Sequence, residues 1–276
     1  MLRPNSFDAA AARERCRRYR RRILDISQQV TALHVAPAFS CTEMTDVLYN
    51  GLMRREGRGN GDFRDVFLMS KGHGCMIQYV ILEEQGVLSR HDLDRYCQPD
   101  GRLGAHPDYE TPGINASTGS LGHGLGMATG QAYAEKLNGT DALVYCLLSD
   151  GEFQEGSTWE AMMMAANLGL DNLVALMDFN DFGGLERMSD GHKAFYPLVP
   201  KGEAFGWETL EVDGHDEATM FDAVTSRKGG RPQLLVCRTV KGRGVSYMEN
   251  VPIWHYRSPN KAEYAQALAE IEGAAP

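Results

Sequence analysis

Excess positive charge and long apolar runs are both missing from this sequence of 276 residues. The 28 lysines and arginines are outnumbered by 37 aspartates and glutamates, which gives a net charge of −9. Such a chain does not bind nucleic acid through bulk electrostatic attraction to phosphates. The longest apolar run near the middle, residues 142–148, is far shorter than the roughly 20 residues that cross a bilayer. We therefore expect neither a nucleic acid nor a membrane as a partner.

Cysteine pairs of the Cys-x-x-Cys type are also absent. The six cysteines stand at positions 16, 41, 75, 97, 146 and 237, so neither a zinc ribbon nor a dithiol redox site is indicated. Cys146 and Cys237 lie inside apolar runs and are predicted to be buried. Because the sequence shows no secretory signal, the thiols are expected to stay reduced and the protein to be cytoplasmic.

The positive charge that is present is concentrated at the start of the chain. Residues 1–22 hold eight arginines, one aspartate and one glutamate, so this segment carries +6 and the remainder −15. An arginine-rich start is typical of a transit peptide, and a basic helix can also bind a membrane surface or an acidic partner. No small-residue cleavage site follows. We therefore favour a third interpretation, a solvated face of a helix that continues into Ile23, Leu24, Ile26 and Val30.

Short continuous apolar runs in the middle of the chain predict strands that are buried on both faces. They cover residues 142–149, 173–179 and 234–240, and residues 207–212 add another strand. Runs of this kind are typical of parallel sheets. Residues 157–168 favour a helix, which makes a strand–helix–strand unit with a right-handed crossover. The sequence therefore predicts an α/β fold, a doubly wound, mostly parallel sheet with helices on both faces.

Helical patterns are predicted at both ends of the chain. Apolar spacing indicates helices over residues 7–34 and 41–54, and a C-terminal helix is predicted over 262–271. We expect a single domain over residues 1–276, with a helical N-terminal part at 1–60 and a C-terminal helix and tail at 261–276. The three methionines at 162–164 in the central helix are expected to pack in the core or at an interface.

Acidic and amide side chains directly follow two of the predicted strands. Asp150 and Gly151 come after the first strand, and Asn180 comes after the second. Because parallel strands bring their carboxyl ends to one edge of the sheet, these residues are expected to lie together. A carboxylate and an amide oxygen suit Mg²⁺, and the helix start after Gly156 offers free N–H groups to a phosphate. The pattern predicts a diphosphate site with its own divalent cation, although Asp-Gly alone is a common turn pair.

Five motifs in this sequence resemble, in order and spacing, those of the transketolase family. Segment 150–156 (Asp-Gly-Glu-Phe-Gln-Glu-Gly), followed by Asn180, resembles the thiamine diphosphate motif of that family. The other four are 69–74 (Met-Ser-Lys-Gly-His-Gly), 104–107 (Gly-Ala-His-Pro), 118–124 (Thr-Gly-Ser-Leu-Gly-His-Gly) and 239–250, which is followed by Trp254 and His255. The resemblance extends from about residue 15 to residue 270.

The resemblance implies a thiamine diphosphate-dependent transferase that moves a two-carbon ketol unit from a ketose to an aldehyde. The chain resembles only the diphosphate-binding domain of a transketolase. In the family, a pyrimidine domain supplies a glutamate that activates the cofactor and further groups that bind sugar phosphate. The resemblance therefore implies the N-terminal subunit of a split transketolase, which works with a separate subunit carrying the pyrimidine and C-terminal domains in an α2β2 assembly.

The same resemblance implies roles for individual residues. Asp150, Asn180 and the carbonyl of Phe182 would hold Mg²⁺, or Ca²⁺ or Mn²⁺ in its place, and the Gly151 amide would bind the diphosphate. The remaining implied residues are His73 and His255 beside the diphosphate and the substrate, His34 and His106 at the hydroxyls of the donor, Gly119 and Leu121 under the cofactor rings, and Glu155 and Glu160 in a network of acids at the subunit interface.

Glu155 and Glu160 also have a simpler interpretation. Both lie at the start of the predicted central helix, where the helix dipole favours solvated acidic side chains. In the network that the resemblance implies, burial would instead raise their pKa values. The sequence leaves both interpretations open.

Four departures from the family pattern lie near the implied cofactor or donor. Ser149 stands where the family has a glycine, residues 33–39 replace a glycine-rich stretch, residues 181–187 are unusual, and Tyr256 follows His255 where a glycine is common. These departures keep alternatives open: a 2-oxo acid decarboxylase or dehydrogenase component, a carboligase of a specialised pathway, or a non-catalytic paralogue that acts as a scaffold. A deoxyxylulose-phosphate synthase is disfavoured because that enzyme is normally one longer chain.

Overall fold

The computed structural model describes residues 7–30, 33–55 and 63–273. Its strands are β1 (Val66–Met69), β2 (Val144–Ser149), β3 (Leu173–Phe179), β4 (Phe182–Gly183), β5 (Glu186–Arg187), β6 (Glu208–Asp213) and β7 (Gln233–Arg238). Its α-helices are α1 (Ala9–Ser27), α2 (Val35–Ser40), α3 (Thr42–Val47), α4 (Met76–Glu84), α5 (Arg90–Asp94), α6 (Gly124–Leu137), α7 (Gly156–Asn167), α8 (Met188–Gly191), α9 (Leu198–Ala204), α10 (Glu217–Thr225) and α11 (Lys261–Ile271).

The main sheet is parallel, with the strand order β1-β2-β3-β7-β6. β4 and β5 form a separate antiparallel hairpin after β3. Because β2 and β3 are joined through α7 and lie side by side, their carboxyl ends meet at one edge, with Ser149 opposite Asp178. The predicted α/β fold with a doubly wound parallel sheet is confirmed.

The core consists of two apolar layers, one on each face of the sheet. Alternate residues of a strand point to opposite faces. In β2, Tyr145 and Leu147 pack in the layer that holds α1, α3 and α4, whereas Cys146 and Leu148 pack in the layer that holds α6 and α7. Strands covered on both faces have no polar alternation, which is why they read as continuous apolar runs. The predicted burial of Cys146 and Cys237 is confirmed.

Most of the predicted elements are present, with some different boundaries. The predicted strands in the middle correspond to β2, β3 and β6, the central helix to α7 and the C-terminal helix to α11. The strand predicted over 234–240 ends at Arg238, and β1, which is only four residues long, was not predicted. The predicted N-terminal part at 1–60 includes residues 1–6, 31–32 and 56–60, which lie outside the described residues. The same is true of residues 274–276 in the predicted C-terminal tail.

The two long N-terminal helices were predicted too long. The helix predicted over 7–34 ends at Ser27, whose hydroxyl donates to the Leu24 carbonyl at 2.6 Å, and β-branched Val30 does not favour its continuation. The helix predicted over 41–54 becomes α3 followed by a wider π-helical turn, Leu48–Leu52. That turn contains Gly51, a poor helix former, and a Cβ atom at Gly51 would lie 2.7 Å from Phe7.

The predicted solvated basic face holds for four of the seven arginines of α1, which are exposed (Arg13, Arg17, Arg18 and Arg21). The other three are largely buried in ion pairs, so the prediction is wrong for them. Their pairs are Arg15 with Asp46 at 2.8 Å, Arg20 with Glu43 at 2.6 Å and Arg22 with Glu83 at 2.9 Å. Because Asp46 and Glu43 lie on α3 and Glu83 lies on α4, the basic residues attach α1 to the helices packed against it.

All six cysteines are free thiols, and only Cys97 is exposed. Among the helices in the described parts of the chain, none combines the length and the apolar character that crossing a bilayer requires.

Candidate functional site

A cavity of about 510 Å³ opens at the carboxyl ends of β1, β2, β3 and β7. This volume lies in the range of small-molecule sites, and the position is where parallel sheets bind ligands. Asp150 lies buried directly behind the wall, and Glu160 lies outside on the exposed side of α7. The predicted residues that line the cavity are His34, His73, His106, Gly119, Leu121, Gly151, Glu155, Asn180, Phe182 and His255.

Asp150 and Asn180 are in contact, as the topology leads one to expect. The backbone N–H groups of Asn180 and Asp181 donate to Oδ2 of Asp150 at 3.1 and 2.6 Å. Oδ1 of Asn180 accepts from the Phe182 N–H at 3.1 Å. The structure therefore places a carboxylate, an amide oxygen and the backbone of Phe182 at one point of the cavity wall.

The charge of Asp150 depends on what lies next to it. Burial and the neighbouring Asp178 carboxylate raise the pKa of Asp150 to about 7. A nearby cation would favour the ionised form. Carboxylate, amide and carbonyl oxygens are hard ligands, so the donor set fits Mg²⁺, Ca²⁺ or Mn²⁺.

The Gly151 amide and the Ser149 hydroxyl both form hydrogen bonds within the turn that follows β2. The Gly151 N–H donates to Oδ1 of Asp150 at 2.9 Å, so binding of a diphosphate by this amide would require it to be shared or released. Oγ of Ser149 accepts from the Glu152 N–H at 3.3 Å. The serine that departs from the family pattern thus belongs to the turn as well as to the cavity wall.

Four histidines are brought together from distant segments of the chain. The centroid of the His34 ring lies 5.7 Å from that of His73, 6.2 Å from His106 and 5.5 Å from His255. His73 and His255 lie 5.3 Å apart. The structure therefore places the four predicted histidines around one space, in which a hydroxylated ligand could contact several imidazoles.

Lys241, which was not predicted as a site residue, sets the tautomer of His255. Its ammonium donates to Nδ1 of His255 at 2.6 Å and to the Gly184 carbonyl at 3.1 Å. Because Nδ1 is an acceptor, the ring proton of neutral His255 lies on Nε2. Burial and the Lys71 ammonium lower the pKa of Lys241 to about 8. A lysine within the motif at 239–250 was the signal available in the sequence.

Three of the imidazoles are held neutral. Burial, followed by Lys241, lowers the pKa of His255 to about 3. Burial, followed by His106, lowers the pKa of His34 to about 4, and burial together with Lys71 lowers that of His73 well below the ordinary value. At neutral pH each of these rings can donate one hydrogen bond and accept another.

Stability should therefore fall on acidification through these histidines. In the unfolded chain a histidine protonates near its ordinary pKa of about 6.5, whereas folded His34 and His255 resist protonation until about pH 4 and about pH 3. Stability is lost as the pH decreases through this window, because the unfolded state binds more protons. A His34→Asn/His255→Asn double variant should show a flatter decrease in the free energy of unfolding between pH 6.5 and pH 4. His192→Asn, at an exposed histidine, is the matched control, and equal slopes in all three proteins would contradict the prediction.

Glu152, another residue that was not predicted, joins three motifs. Its Oε1 accepts from the Ser70 hydroxyl at 2.6 Å and the Gly122 N–H at 3.1 Å, and its Oε2 accepts from the Ser149 N–H at 3.1 Å. The side chain is fully buried, and burial raises its pKa. By contrast, Glu155 and Glu160 are exposed in this chain, which leaves both available to a partner.

Close backbone approach explains two of the glycines in the motifs. A Cβ atom on Gly72 would lie 2.7 Å from Cα of Gly119, and one on Gly119 would lie 2.5 Å from the His106 ring. Gly119 also has a φ of +126°, which other residues rarely adopt. The segment at 69–74 can therefore touch the segment at 118–124 only because Gly72 lacks a side chain, and the His106 ring can lie against the latter only because Gly119 lacks one.

The unusual segment after Asn180 forms the β4–β5 hairpin at the rim of the cavity. Asp181 adopts a left-handed conformation with φ of +69°, and its side chain accepts from the Ser189 N–H at 2.9 Å and from the Tyr196 hydroxyl. These bonds attach the start of the hairpin to α8 and to Tyr196 beyond it. Tyr256, which also lines the cavity, is 55% exposed and its ring lies 5.4 Å from that of His34, so these departures from the family pattern shape the entrance.

A buried ion pair, which was not predicted, joins Lys71 on the cavity wall to Asp178 behind it. The Lys71 ammonium binds Oδ2 of Asp178 and the Pro37 carbonyl, the latter at 3.0 Å. Burial alone would raise the pKa of Asp178, but Lys71 and the hydroxyls of Ser40 and Thr239 more than offset it and lower that pKa. The available signal was a single aspartate inside the apolar run at 173–179, because a buried carboxylate requires a partner.

The chain is similar to known proteins in both sequence and structure. The family model described as "Transketolase, thiamine diphosphate binding domain" matches residues 12–274. A protein of Phocaeicola vulgatus, named as one subunit of an apulose-4-phosphate transketolase, is 36% identical over 255 residues, which cover 91% of this chain and 90% of that protein. A protein of the same name from Actinobacillus succinogenes is 39% identical over 211 residues, 76% of each chain.

A solved structure shows the same fold within a longer polypeptide. The transketolase from Campylobacter jejuni superposes with a TM-score of 0.87 at 26% identity. The superposition covers 96% of this chain but only 43% of that transketolase. The chain thus spans less than half the length of this solved structure, while it spans most of the length of the two apulose-4-phosphate transketolase subunits.

Proposed function

The chain belongs to the transketolase family, and we propose that it is the N-terminal subunit of a split transketolase. The predicted family and the predicted class, a thiamine diphosphate-dependent transferase, are confirmed. The proposed activity is transfer of a two-carbon ketol unit from a ketose donor to an aldehyde acceptor, carried out with a separate subunit that holds the pyrimidine and C-terminal domains. The name of the Phocaeicola vulgatus protein as a transketolase subunit, of which the alignment covers 90%, supports the split.

The observation that carries the proposal is the single cavity that joins the cation-binding edge to the four histidines. Asn180 and the Lys241 ammonium line it together, and the buried Asp150 carboxylate lies behind them. Hard oxygens for a divalent cation and an ammonium for an anion are the groups that a cation–diphosphate pair requires. The residues present therefore fit thiamine diphosphate with Mg²⁺, Ca²⁺ or Mn²⁺.

Each part of this wall has a proposed role in binding. Asp150, Asn180 and the Phe182 carbonyl would hold the cation, and Gly151 together with Lys241 would contact the diphosphate. Gly119 and Leu121 lie on the cavity wall, where they would support the rings of the cofactor. Together these groups would orient the diphosphate half, while the other half would be held by the partner.

The four histidines are proposed to bind and exchange protons with the hydroxyl groups of the substrate. When bound, thiamine diphosphate supplies a carbon nucleophile and an electron sink for cleavage of a carbon–carbon bond. Neutral His34, His73 and His255 can each donate one hydrogen bond and accept another, which suits them to binding a hydroxyl group. The Nε2–H of His255 would donate to an oxygen of the ligand.

The partner subunit is proposed to dock on an apolar surface formed by α6 and α7. Met163 and Met164 on α7 are 49% and 53% exposed, and Tyr133 on α6 is 40% exposed. This α6–α7 surface begins beside the cavity, because Glu155 lines the cavity and is the N-cap residue of α7. A subunit seated there would cover both the methionines and the open side of the site. An α2β2 assembly is the proposed stoichiometry.

Placing charges on the α6–α7 surface should break this assembly. In a Met163→Asp/Met164→Asp double variant, two carboxylates would be desolvated in the interface, so association with the partner should weaken about ten-fold or more. Sedimentation of a mixture of the purified variant chain and the partner subunit measures the strength of their association. Leu210→Asp, at a 39% exposed leucine on β6, is the control that should leave the complex intact. Co-sedimentation of the double variant at wild-type affinity would contradict the docking site.

The proposed function is tested with the chain co-expressed with a candidate partner subunit. We expect Mg²⁺-dependent binding of thiamine diphosphate by calorimetry, and ketol transfer when ketoses and aldehydes are supplied in a substrate panel. The panel also contains 2-oxo acids, whose turnover in place of ketoses would favour the decarboxylase alternative. A well-folded complex that binds no thiamine diphosphate would overturn the proposal and favour the scaffold alternative.

We propose that residues 1–276 form one thiamine diphosphate-binding domain, which the family match over 12–274 supports. The cytoplasm is the proposed location, and the free thiols of all six cysteines are consistent with a reducing compartment.

A further inference from the structure

Ser40, the last residue of α2, contacts both the proposed cation ligand Asn180 and the buried Asp178. Its Oγ lies 2.6 Å from Oδ1 of Asp178 and 3.2 Å from Nδ2 of Asn180. Ser40 itself is fully buried and does not line the cavity. It therefore lies behind the ligand that would contact the cation.

The proton count of this contact fixes the orientation of the Asn180 amide. An ionised carboxylate only accepts, so the single hydroxyl hydrogen of Ser40 is donated to Asp178. The oxygen of Ser40 can then only accept from Asn180, which requires the NH₂ group of the amide to face it. Oδ1 of Asn180 consequently lies on the other side, where it accepts from the Phe182 N–H. A flipped amide would place two acceptors against each other.

The orientation of Ser40 is fixed in turn by the ion pair behind it. The Lys71 ammonium binds Oδ2 of Asp178, which keeps the carboxylate ionised and therefore an acceptor only. Thr239 donates its hydroxyl to the same Oδ1 that Ser40 uses. Thr239 has no hydrogen bond to Asn180 among those found in the described residues, so the two hydroxyls differ in this one contact.

We propose that Ser40 is a positioning residue that holds the carbonyl oxygen of Asn180 toward the divalent cation. The inference rests on the proposed function, because it takes Asn180 to be a cation ligand. Without the Ser40 hydroxyl, the amide can rotate and present NH₂, which binds no cation. Groups behind a metal ligand of this kind typically contribute about 10- to 100-fold to metal affinity.

The experiment compares Ser40→Ala with Thr239→Val in the chain assembled with its partner subunit. Each substitution removes one hydroxyl donor from Oδ1 of Asp178, but only Ser40→Ala removes the contact with Asn180. The readout is the Mg²⁺ concentration at half-saturation of thiamine diphosphate binding, followed by calorimetry. We expect an increase of about 10- to 100-fold for Ser40→Ala and the wild-type value for Thr239→Val. Both variants should lower the thermal unfolding midpoint to a similar extent.

The outcomes separate the inference from the proposed function. Equal shifts of the Mg²⁺ midpoint in both variants, or none in Ser40→Ala, would overturn the positioning role while the wild-type complex still binds thiamine diphosphate. A wild-type complex that binds none at any Mg²⁺ concentration would overturn the proposed function and the inference with it. If Ser40→Ala does not fold, Ser40→Cys replaces it, because a thiol keeps the volume but is only a weak donor. The same increase in the Mg²⁺ midpoint is then expected. An unchanged Mg²⁺ midpoint would count against the positioning role.

Discussion

Replacing Asp150 with asparagine is expected to abolish the cation-dependent binding of thiamine diphosphate. The substitution removes the negative charge at the point where Asp150 meets Asn180, while the remaining oxygen of the amide can still accept from the backbone N–H groups of Asn180 and Asp181. Loss of a direct ligand should exceed the about 100-fold upper range seen for groups behind a ligand. Calorimetric titration of thiamine diphosphate into the assembled complex, with Mg²⁺ or with a chelator, measures the effect.

Asp213→Asn is the matched control for this change. Asp213 ends β6 at the same edge of the sheet, but it is exposed and does not line the cavity. Its substitution alters the net charge equally and should leave binding at the wild-type level. The predicted cation site would be refuted if Asp150→Asn bound the cofactor with the affinity and the Mg²⁺ requirement of the wild type.

The residues that meet at this edge of the sheet could be predicted from the sequence, because local sequence patterns determine their positions. Runs such as Leu173–Phe179 are apolar since both faces of the strand are covered, and the handedness of the crossover then places the residues after β2 and β3 side by side. Asp150 and Asn180 follow those strands directly. Their contact at the cavity wall needed no knowledge of any other segment.

The wall behind that edge could not be predicted, because its contacts join segments far apart in the sequence. Lys71 follows β1, a strand of four residues that gives no clear pattern. Its partner Asp178 is 107 residues away. Glu152 similarly binds Ser70 across 82 residues. The motifs include Ser70, Lys71 and Glu152, but only the tertiary structure shows which groups satisfy each buried charge.

The charges of the histidines are equally a property of the fold. An isolated histidine titrates near neutrality, and no sequence pattern around His34 or His255 indicates otherwise. Burial and the ammonium of Lys241 lower the pKa of His255 to about 3. The same is true of α1, whose arginines resemble a basic surface until their acidic partners on α3 and α4 are known.

Replacing Lys71 with methionine is expected to cause the largest loss of stability among these changes. Lys71 and Asp178 are both buried, and the ammonium is the only cationic group hydrogen-bonded to that carboxylate among the described residues. Removing one partner leaves a buried, uncompensated charge, which typically costs about 3–5 kcal/mol. Urea denaturation of the wild-type and variant chains at pH 7 gives the difference in the free energy of unfolding.

The deficit of Lys71→Met should shrink as the pH is lowered. In the wild type the pKa of Asp178 is lowered, so its contribution to stability is present at neutral pH and is lost on acidification. In the variant, burial without the ammonium raises that pKa, and protonation relieves the unpaired charge. A Lys71→Met/Asp178→Asn double variant, which has no buried charge to compensate, should recover much of the lost stability at pH 7. A loss in the free energy of unfolding of Lys71→Met below about 1 kcal/mol, or one that does not change with pH, would contradict this prediction. The Lys71–Asp178 pair would then contribute no more than a surface salt bridge, and the buried network behind the cation site would need another source of stability.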